Sequence, residues 1–554
     1  MLSDVEIRRQ ASPLSIDHIA AKLGIHDDDL LPYGREIAKI HTRALQRPTS
    51  KAGQLILVSA TTPTPAGEGK TTTTIGLGQA FAKLGESVCL ALREPSLGPC
   101  LGMKGGATGG GYSQVLPAER INLHFTGDFH AITSANNLIA ATIDNHIYQG
   151  NVLNIDPRRI LWRRVMDMND RSLRNIVLGL GGKTHGVPRE GGFDITAASE
   201  VMAMLCLAGD ISDLQQRIEN TLIAFTYEGN AVYAGELQIT GAILSLLAEA
   251  IHPNLVQTLE GVPAFIHGGP FANIAHGCNS LIATRMACHH ADWAITEAGF
   301  GFDLGAEKFF DIKCRIGELN PVAVVLVTTT RALKMHGGQM KGNLGKKDLH
   351  ALREGLSNLD KHIENVRKFN KQPVVALNLF ADEDEAEMAL IEARCQELGV
   401  PFARSSHFAD GGTGAQDLAY QVMQVVEKTQ PWQPLYELDM PVAEKIRTIS
   451  REIYGADDVA FTKQAAADLR QVTKLGYDSL PVCIAKAPGS LSDDPTLIGR
   501  PRHFDVTVRG IQINSGAGFL VVLTGDILRM PGLPKHPAAE RWRLSPDGTL
   551  NGMA

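Results

Sequence analysis

With 554 residues, of which 44% are hydrophobic, the chain is long enough for two to four domains with large buried cores. Its net charge of -7 argues against nucleic acid as the main partner, and no apolar run is long enough to cross a membrane. The eight cysteines are scattered without a Cys-x-x-Cys pair, which predicts free thiols in a reducing cytoplasm rather than a zinc site.

The strongest pattern near the N-terminus is a strand, a glycine-containing loop and a helix. A mostly helical segment, 1–50, leads into the apolar run 55–58; residues 62–69 read Thr-Pro-Thr-Pro-Ala-Gly-Glu-Gly, and Lys70-Thr71 precedes a helix over 75–84. This order is typical of a phosphate-binding P-loop. Thr64 stands where the full pattern has glycine, and a tight turn that merely starts a helix is the alternative interpretation.

In a P-loop, backbone N–H groups at the start of the helix bind phosphate. Lys70 would reach the β- and γ-phosphates, and the Thr71 hydroxyl would help to hold Mg²⁺. The sequence therefore predicts a nucleotide-binding loop formed by Thr64, Pro65, Ala66, Gly67, Glu68, Gly69, Lys70, Thr71 and Thr72.

Apolar runs alternate with helical stretches along much of the remaining chain, which predicts a parallel sheet covered on both faces. A glycine-rich or charged loop follows each run. Because ligands of open α/β sheets bind at the carboxyl ends of the strands, we expect these loops to form one composite site. The runs are 87–92, 176–180, 264–267, 293–296, 322–327 and 374–377, and their loops begin at Arg93, Gly181, Gly268, Glu297, Thr330 and Asn378.

The pattern changes beyond about residue 360, so we expect an α/β fold with three parts. Residues 1–360 are predicted to form a P-loop-type parallel sheet with helices on both faces, which binds the nucleotide and carries out catalysis. Two smaller C-terminal α/β domains, 361–455 and 456–554, complete the prediction.

A second strong signal is a glycine-rich loop within residues 96–111. Dense glycine lets the backbone approach a ligand or another segment closely. A flexible surface loop is the alternative, although the flanking residues do not resemble a linker. The candidate binding residues here are Lys104, Gly105, Gly106, Gly109 and Gly110.

Taken together, these segments resemble the formate–tetrahydrofolate ligase family from end to end. The similarity includes the two stretches that match the family's signature motifs, the glycine-rich loop and Arg331-Ala-Leu-Lys334. The matching segments are 62–71, 92–98, 103–112, 122–128, 162–171, 267–276, 297–303 and 331–338.

The resemblance implies an ATP-dependent reaction of formate with tetrahydrofolate that yields 10-formyltetrahydrofolate, ADP and phosphate. It also implies a formyl phosphate intermediate, Mg²⁺ bound with ATP, a stimulatory monovalent cation (K⁺ or NH₄⁺) and a homotetramer. Small molecules would be the binding partners, with no nucleic acid and no membrane.

The resemblance assigns the catalytic residues Lys70, Arg93, Glu94 and Asp128. Arg93 can hold a carboxylate or acyl phosphate through two parallel hydrogen bonds. Asp128 is the candidate general base for the second step, with a turn residue as the alternative interpretation. His124 and His130 flank Asp128 in the sequence and are rival bases.

The resemblance also implies an aromatic slot for the pteridine ring, formed by Phe300 in the first predicted domain and by Phe380 and Phe408 in the second, 361–455. The chain departs from the family pattern at four places in this region and near the C-terminus. Phe408 replaces a tryptophan, Arg404 stands where leucine is common, Ala381 where proline is common, and 487–489 read Ala-Pro-Gly. We expect these changes to affect folate affinity rather than the ATP chemistry.

Two other functions fit parts of the pattern. One is a P-loop ligase that activates a carboxylate or carbamate for a different pteridine or amine. The other is a nucleotide-switched binding protein, in which the glycine-rich loop and the aromatic slot would have no role.

Overall fold

A 12-stranded, mostly parallel sheet forms the centre of the molecule and confirms the predicted α/β class. The computed structural model describes residues 2–65, 67–104, 106–525 and 527–553, without the side chain of Lys104. Ala66, Gly105 and the Lys104 side chain, which the sequence assigned to the two glycine-containing loops, lie outside the described part.

The strands fall into one large sheet, one four-stranded sheet and four small ones. Their bounds are β1 (Leu30–Pro32), β2 (Ala38–Ile40), β3 (Gln54–Ala60), β4 (Val88–Leu92), β5 (Gly109–Gly110), β6 (Ser113–Leu116), β7 (Ile155–Ile160), β8 (Arg164–Met166), β9 (Ile176–Leu178), β10 (Arg189–Gly191), β11 (Phe193–Ile195), β12 (Leu222–Thr226), β13 (Ala231–Tyr233), β14 (Asn254–Thr258), β15 (Pro263–Ile266), β16 (Trp293–Glu297), β17 (Pro321–Thr328), β18 (Pro373–Asn378), β19 (Phe402–Ser405), β20 (Asp458–Phe461), β21 (Val482–Ala485), β22 (Asp505–Asn514), β23 (Phe519–Thr524), β24 (Arg543–Leu544) and β25 (Leu550–Asn551).

The helices connect these strands and cover the large sheet. Their bounds are α1 (Asp4–Gln10), α2 (Ile16–Lys22), α3 (Lys70–Lys83), α4 (Leu97–Pro99), α5 (Ala118–Asn122), α6 (Asp128–Tyr148), α7 (Glu200–Leu207), α8 (Ile211–Glu219), α9 (Thr240–Leu247), α10 (Leu281–His290), α11 (Arg315–Gly317), α12 (Thr330–His336), α13 (Leu349–Lys368), α14 (Glu385–Glu397), α15 (His407–Asp410), α16 (Gln416–Val426), α17 (Val442–Ile449) and α18 (Lys463–Lys474). Within the described part of the chain, none of these helices combines the length and apolarity needed to cross a membrane.

The large sheet has the order β1-β2-β14-β15-β4-β16-β3-β17-β18-β19, and β6 pairs with β14. The seven strands from β15 to β19 in this order are parallel to one another. Their carboxyl ends therefore lie along one edge, which is where open α/β sheets bind their ligands.

Strand β3 shows why the sheet is covered on both faces. Successive side chains of a strand point to opposite faces. Leu55 and Leu57 belong to one buried cluster, which includes α6 and α10, whereas Ile56 and Val58 belong to another, which includes α3 and α16. A nearly continuous apolar run is the sequence that such a doubly covered strand needs.

One detail of the predicted organisation is wrong, and the pairing of two further strands bears on the predicted domain boundary. The run 176–180 is not a strand of the large sheet: β9 pairs antiparallel with β10 in a separate two-stranded sheet, so the loop at Gly181 does not join the other loops. Strands β18 and β19, expected in a separate domain 361–455, extend the large sheet beyond β17. Parallel pairing of β18 with β17 buries its apolar residues in the same core, so the boundary at 360 crosses a continuous sheet.

A second, four-stranded sheet lies in the C-terminal part and has the order β20-β22-β23-β21. Its buried side chains, such as Val506 and Val521, belong to the same apolar cluster as those of α6 and α10. The two sheets therefore share one packed interior.

Candidate active site

The loop between β3 and α3 has a backbone that requires glycine at defined positions. Gly67 and Gly69 have φ values of 79° and 75°, which side-chain-bearing residues rarely adopt. Asn378, at the end of β18, packs directly against Gly69 and donates a hydrogen bond from Nδ2 to the Glu68 carbonyl at 3.0 Å. Thr64 is not in the left-handed region, so the missing glycine of the full P-loop pattern is not needed for this backbone.

Lys70 begins α3, which runs for 14 residues, and it faces several charged groups. Burial lowers the pKa of Lys70, whereas the nearby Glu68 and Glu297 oppose that change and Arg93 adds to it. Thr71 Oγ1 donates a hydrogen bond to Glu297 Oε2 at 2.8 Å. The loop, α3 and the end of β16 therefore bring together two cations and two carboxyl groups.

Glu68 closes the loop on itself. Its Oε1 accepts a hydrogen bond from the Thr64 N–H at 2.6 Å, and its Oε2 is buried without a partner among the described residues. Burial raises the pKa of Glu68. A buried carboxyl oxygen without a donor is costly, so this position is poised for a group that ligand binding would supply.

Arg93 and Glu94 follow β4 directly. Strand β4 pairs with β16, which in turn pairs with β3. Arg93 donates one hydrogen bond, to the Pro270 carbonyl at 3.2 Å, and its buried Nε has no partner among the described atoms. A Cβ at Gly299 would lie 3.0 Å from the same guanidinium, so glycine there leaves room for Arg93. The rest of its donor fork is available for an anion.

Glu94 is 5% exposed, and its Oε2 has no hydrogen-bond partner among the described residues. Burial raises the pKa of Glu94 well above its ordinary value, and the nearby Asp128 carboxylate raises it further. Both effects favour the protonated form of Glu94, in which the carboxyl group can donate a hydrogen bond.

Asp128 is the first residue of α6, and both of its carboxylate oxygens accept hydrogen bonds. Its Oδ1 accepts a hydrogen bond from Lys39 Nζ at 2.7 Å, and its Oδ2 accepts one from Asn254 Nδ2 at 2.8 Å. By contrast, the rival bases His124 and His130 are exposed. Asp128 lies in the interior beside Glu94, and neither histidine shares that environment.

The described glycines of the glycine-rich loop pack against other parts of the chain rather than facing open space. Gly109 has a φ of 86° and packs on Ser113, its near neighbour in the β5–β6 hairpin. A Cβ at Gly110 would lie 2.9 Å from Cε2 of Phe408. Gly106 lies against Asn122, whose Oδ1 accepts the Ala107 N–H at 2.8 Å.

The three predicted aromatic residues lie at the same sheet edge but have different neighbours. Phe300 follows β16 and has a φ of 58°, which is unusual for a non-glycine residue. Phe380 follows β18, and the Arg331 guanidinium lies 4.1 Å from its ring centroid. Phe408 follows β19, is 37% exposed and packs against Gly110 and Gly111.

One of the departures from the family pattern, Arg404, has clear polar partners, and Lys486 beside another departure has one as well. Arg404 makes paired hydrogen bonds with Glu385 at 2.8 and 2.9 Å and one with Glu392 at 3.0 Å, all on α14. Lys486, just before the altered 487–489, forms a fully buried ion pair with Asp303 at 2.7 Å. Nothing in the structure explains Ala381.

A comparison with known families decides the identity of this site. The profile of the family described as formate–tetrahydrofolate ligase matches residues 2–554. The chain belongs to the formate–tetrahydrofolate ligase family. It is therefore an enzyme that uses ATP to ligate formate to tetrahydrofolate in one-carbon metabolism.

In this formate–tetrahydrofolate ligase, sequence reasoning missed four residues that touch the predicted ones. Glu297 bonds Thr71, Asn378 supports Gly69, and Lys39 and Asn254 hold Asp128. A signal existed for Glu297 and Asn378, because polar residues directly follow apolar strands there. Lys39 is a single charge inside the short strand β2, and its partner is distant in sequence.

No cluster of three or more histidine, cysteine or carboxylate residues arranged for a metal occurs among the described residues.

Proposed function

We propose that this formate–tetrahydrofolate ligase activates formate as formyl phosphate at the edge formed by β4, β16 and β3. The observation that carries the proposal is the convergence of Lys70, Arg93 and the Thr71–Glu297 hydrogen bond on that edge. Thr64, Pro65, Gly67, Glu68, Gly69, Lys70, Thr71 and Thr72, with Ala66, form the proposed ATP-binding loop.

In the first step, a formate oxygen attacks the γ-phosphorus of ATP, and the bond from that phosphorus to the ADP oxygen breaks. Lys70 and the backbone N–H groups at the start of α3 neutralise the phosphates. Arg93 holds the formate carboxylate through its free donors and places it near the γ-phosphate. The main contribution of the protein is positioning and charge neutralisation.

The residues present fit Mg²⁺ bound with ATP. The Thr71 hydroxyl and a carboxylate at the end of the adjacent strand, Glu297, form the usual donor set for a phosphate-bound magnesium ion. When bound, Mg²⁺ would neutralise charge on the β- and γ-phosphates. The hydrogen bond between the two side chains keeps both oriented toward the loop.

In the second step, N10 of tetrahydrofolate attacks the formyl carbon. The N10–C bond forms, the C–O bond to phosphate breaks, and phosphate leaves with that electron pair. Asp128 is the proposed acceptor of the N10 proton, and protonated Glu94 donates a hydrogen bond to the formyl oxygen.

Phe300, Phe380 and Phe408 are the proposed pteridine contacts. Their positions after β16, β18 and β19 place them on the ligand-binding edge of the sheet. Arg331 covers the Phe380 ring, and a flat pteridine would replace or extend that stack. The glycine-rich loop, including Lys104, Gly105, Gly106, Gly109 and Gly110, would border this slot next to Phe408.

We further propose, from family membership, a cytoplasmic homotetramer stimulated by K⁺ or NH₄⁺. We keep the division predicted from the sequence as a division of function, although one sheet runs across residue 360: 1–360 for nucleotide binding and catalysis, 361–455 for folate binding together with Phe300, and 456–554 as a C-terminal unit.

Isotope transfer tests the formyl phosphate intermediate directly. With ¹⁸O-labelled formate, the oxygen that attacks phosphorus stays on phosphate when the C–O bond breaks. We expect one labelled oxygen in the released phosphate for each 10-formyltetrahydrofolate formed. Unlabelled phosphate, with normal product formation, would rule out formyl phosphate.

A further inference from the structure

Asp128 and Glu94 are two buried carboxyl groups that interact electrostatically, and their hydrogen-bond partners differ. Asp128 has a partner on each oxygen, Lys39 Nζ at 2.7 Å and Asn254 Nδ2 at 2.8 Å. Glu94 has a buried oxygen with no partner among the described residues. Two neighbouring carboxyl groups in a low-dielectric site do not both ionise readily, and the one without a hydrogen-bond donor is the one whose protonated form is favoured.

Lys39 is the cation that distinguishes the two carboxyl groups, because its ammonium bonds Asp128. Its side chain is fully buried, and its ammonium bonds only the Asp128 carboxylate and the His252 carbonyl at 3.0 Å among the described atoms. Strand β2, which carries Lys39, pairs with β14, which carries Asn254. Two paired strands therefore aim both donors at Asp128.

The other charged or titratable groups around the pair do not replace Lys39. His252 and His267 lie close by, but burial lowers the pKa of each to about 4, so both are neutral at neutral pH. Burial, Glu249 and, to a smaller extent, Asp128 raise the pKa of Tyr33. Asp167, which faces Glu94, adds a further negative charge. Of these groups, Lys39 supplies the positive charge.

We propose that Lys39 is a positioning residue for formyl transfer, which assigns the roles of the two carboxyl groups by holding Asp128 as the carboxylate and leaving Glu94 as the acid. This inference rests on the proposed function. It also explains why a lysine occupies a fully buried position, where an unpaired ammonium would be strongly disfavoured.

The assignment matters for the second step only. When N10 attacks the formyl carbon and phosphate leaves, the N10 proton needs a carboxylate that is not already protonated. Lys39 keeps that group available, and the proton on Glu94 stays in place to bond the formyl oxygen. Formation of formyl phosphate from ATP and formate uses neither carboxyl group, so it should not depend on Lys39.

The test compares the two half-reactions in Lys39→Met and Lys39→Arg. The measurements are kcat/KM for tetrahydrofolate against pH, and formate-dependent ADP formation in a single turnover without tetrahydrofolate. Loss of an adjacent cation should move the acid limb of the formyl-transfer profile upward by about one to three pH units. Formate-dependent ADP formation should stay within about threefold of the wild type, and Lys39→Arg should restore most of the limb.

A matched control reports the general cost of removing a buried ammonium. Lys445 is fully buried and bonds the carbonyls of Asp478 and Leu480, outside the candidate site. Lys445→Met should leave the pH profile unmoved. If Lys39→Met fails to fold, the double variant Lys39→Met/Asp128→Asn removes both charges together; it should fold, form ADP with formate and lose formyl transfer.

The outcomes separate this inference from the proposed function. An unmoved acid limb in Lys39→Met, or an equal fall in both half-reactions, overturns the role of Lys39 while the ligase activity stands. A double variant that transfers formyl groups at the wild-type rate overturns it as well. A wild-type enzyme that forms no ADP from formate would overturn the proposed route through formyl phosphate and this inference with it.

Discussion

Thr71 and Glu297 join the start of α3 to the end of β16 through a hydrogen bond of 2.8 Å. Because β16 pairs directly with β3, the carboxylate and the hydroxyl meet at the loop that we propose binds the nucleotide. This contact places an acidic side chain at the loop even though the sequence pattern of the loop does not contain it.

Glu297→Gln should weaken the metal dependence of the first step. The amide keeps the hydrogen bond with Thr71 but removes the negative charge that a magnesium ion prefers. We expect the Mg²⁺ concentration for half-maximal ADP formation to rise about 10- to 100-fold. Glu354→Gln, at an exposed glutamate on α13, is the control and should leave the Mg²⁺ titration unchanged.

Arg93→Lys should separate charge from geometry at the formate site. Lysine keeps the positive charge but loses the planar donor fork. We expect KM for formate to rise at least about tenfold, since hydrogen bonds to charged groups contribute roughly 1.5–3 kcal/mol. KM for ATP should change much less. Arg447→Lys, on α17, controls for the substitution itself, and equal effects on formate and ATP would contradict the assigned role.

Arg404→Leu tests whether this departure from the family pattern affects folate. Because the guanidinium is committed to Glu385 and Glu392 on α14, we expect KM for tetrahydrofolate to stay within about twofold. Phe408→Ala should instead raise KM for tetrahydrofolate about two- to tenfold, because it removes a ring contact. The reverse order of effects would place Arg404, and not Phe408, at the folate site.

Glu200 predicts a pH dependence of stability. Its Oε1 accepts hydrogen bonds from the N–H groups of Gly516 and Ala517 at 2.8 and 3.2 Å, and burial raises the pKa of Glu200 to about 7. A carboxyl group with a raised folded-state pKa contributes stability that is fully present below its unfolded pKa and is lost as pH rises through about 7.

Glu200→Gln keeps the accepting oxygen and removes the ionisation. Relative to the wild type, its free energy of unfolding should therefore increase between about pH 5 and about pH 8, by roughly 3 kcal/mol. Urea unfolding at the two pH values measures this difference. A difference that is constant with pH would show that Glu200 ionises as freely in the folded protein as in the unfolded one.

Much of the fold follows from local sequence pattern. The apolar runs that became β4, β15, β16, β17 and β18 are nearly continuous because both faces of the sheet are covered, and the loops after them carry the polar residues of the site. The run 176–180 has the same composition but lies in a two-stranded hairpin. Composition alone does not specify which strand a run will pair with.

The candidate site was predictable where the functional residues are adjacent in sequence, as in Gly69-Lys70-Thr71 or Arg93-Glu94. It was not predictable where the chemistry depends on pairing between distant segments. Lys39 reaches Asp128 because β2 pairs with β14 beside the start of α6. The continuity of β18 with β17 likewise depends on strand pairing across the loop and helices between them.

The most direct test is ADP formation from Mg-ATP by the purified enzyme, with formate and tetrahydrofolate added together and each omitted in turn. The account predicts full turnover and accumulation of 10-formyltetrahydrofolate only when all substrates are present, and loss of both in Lys70→Ala. Steady turnover that ignores tetrahydrofolate, or formyl transfer that survives Lys70→Ala, would contradict it.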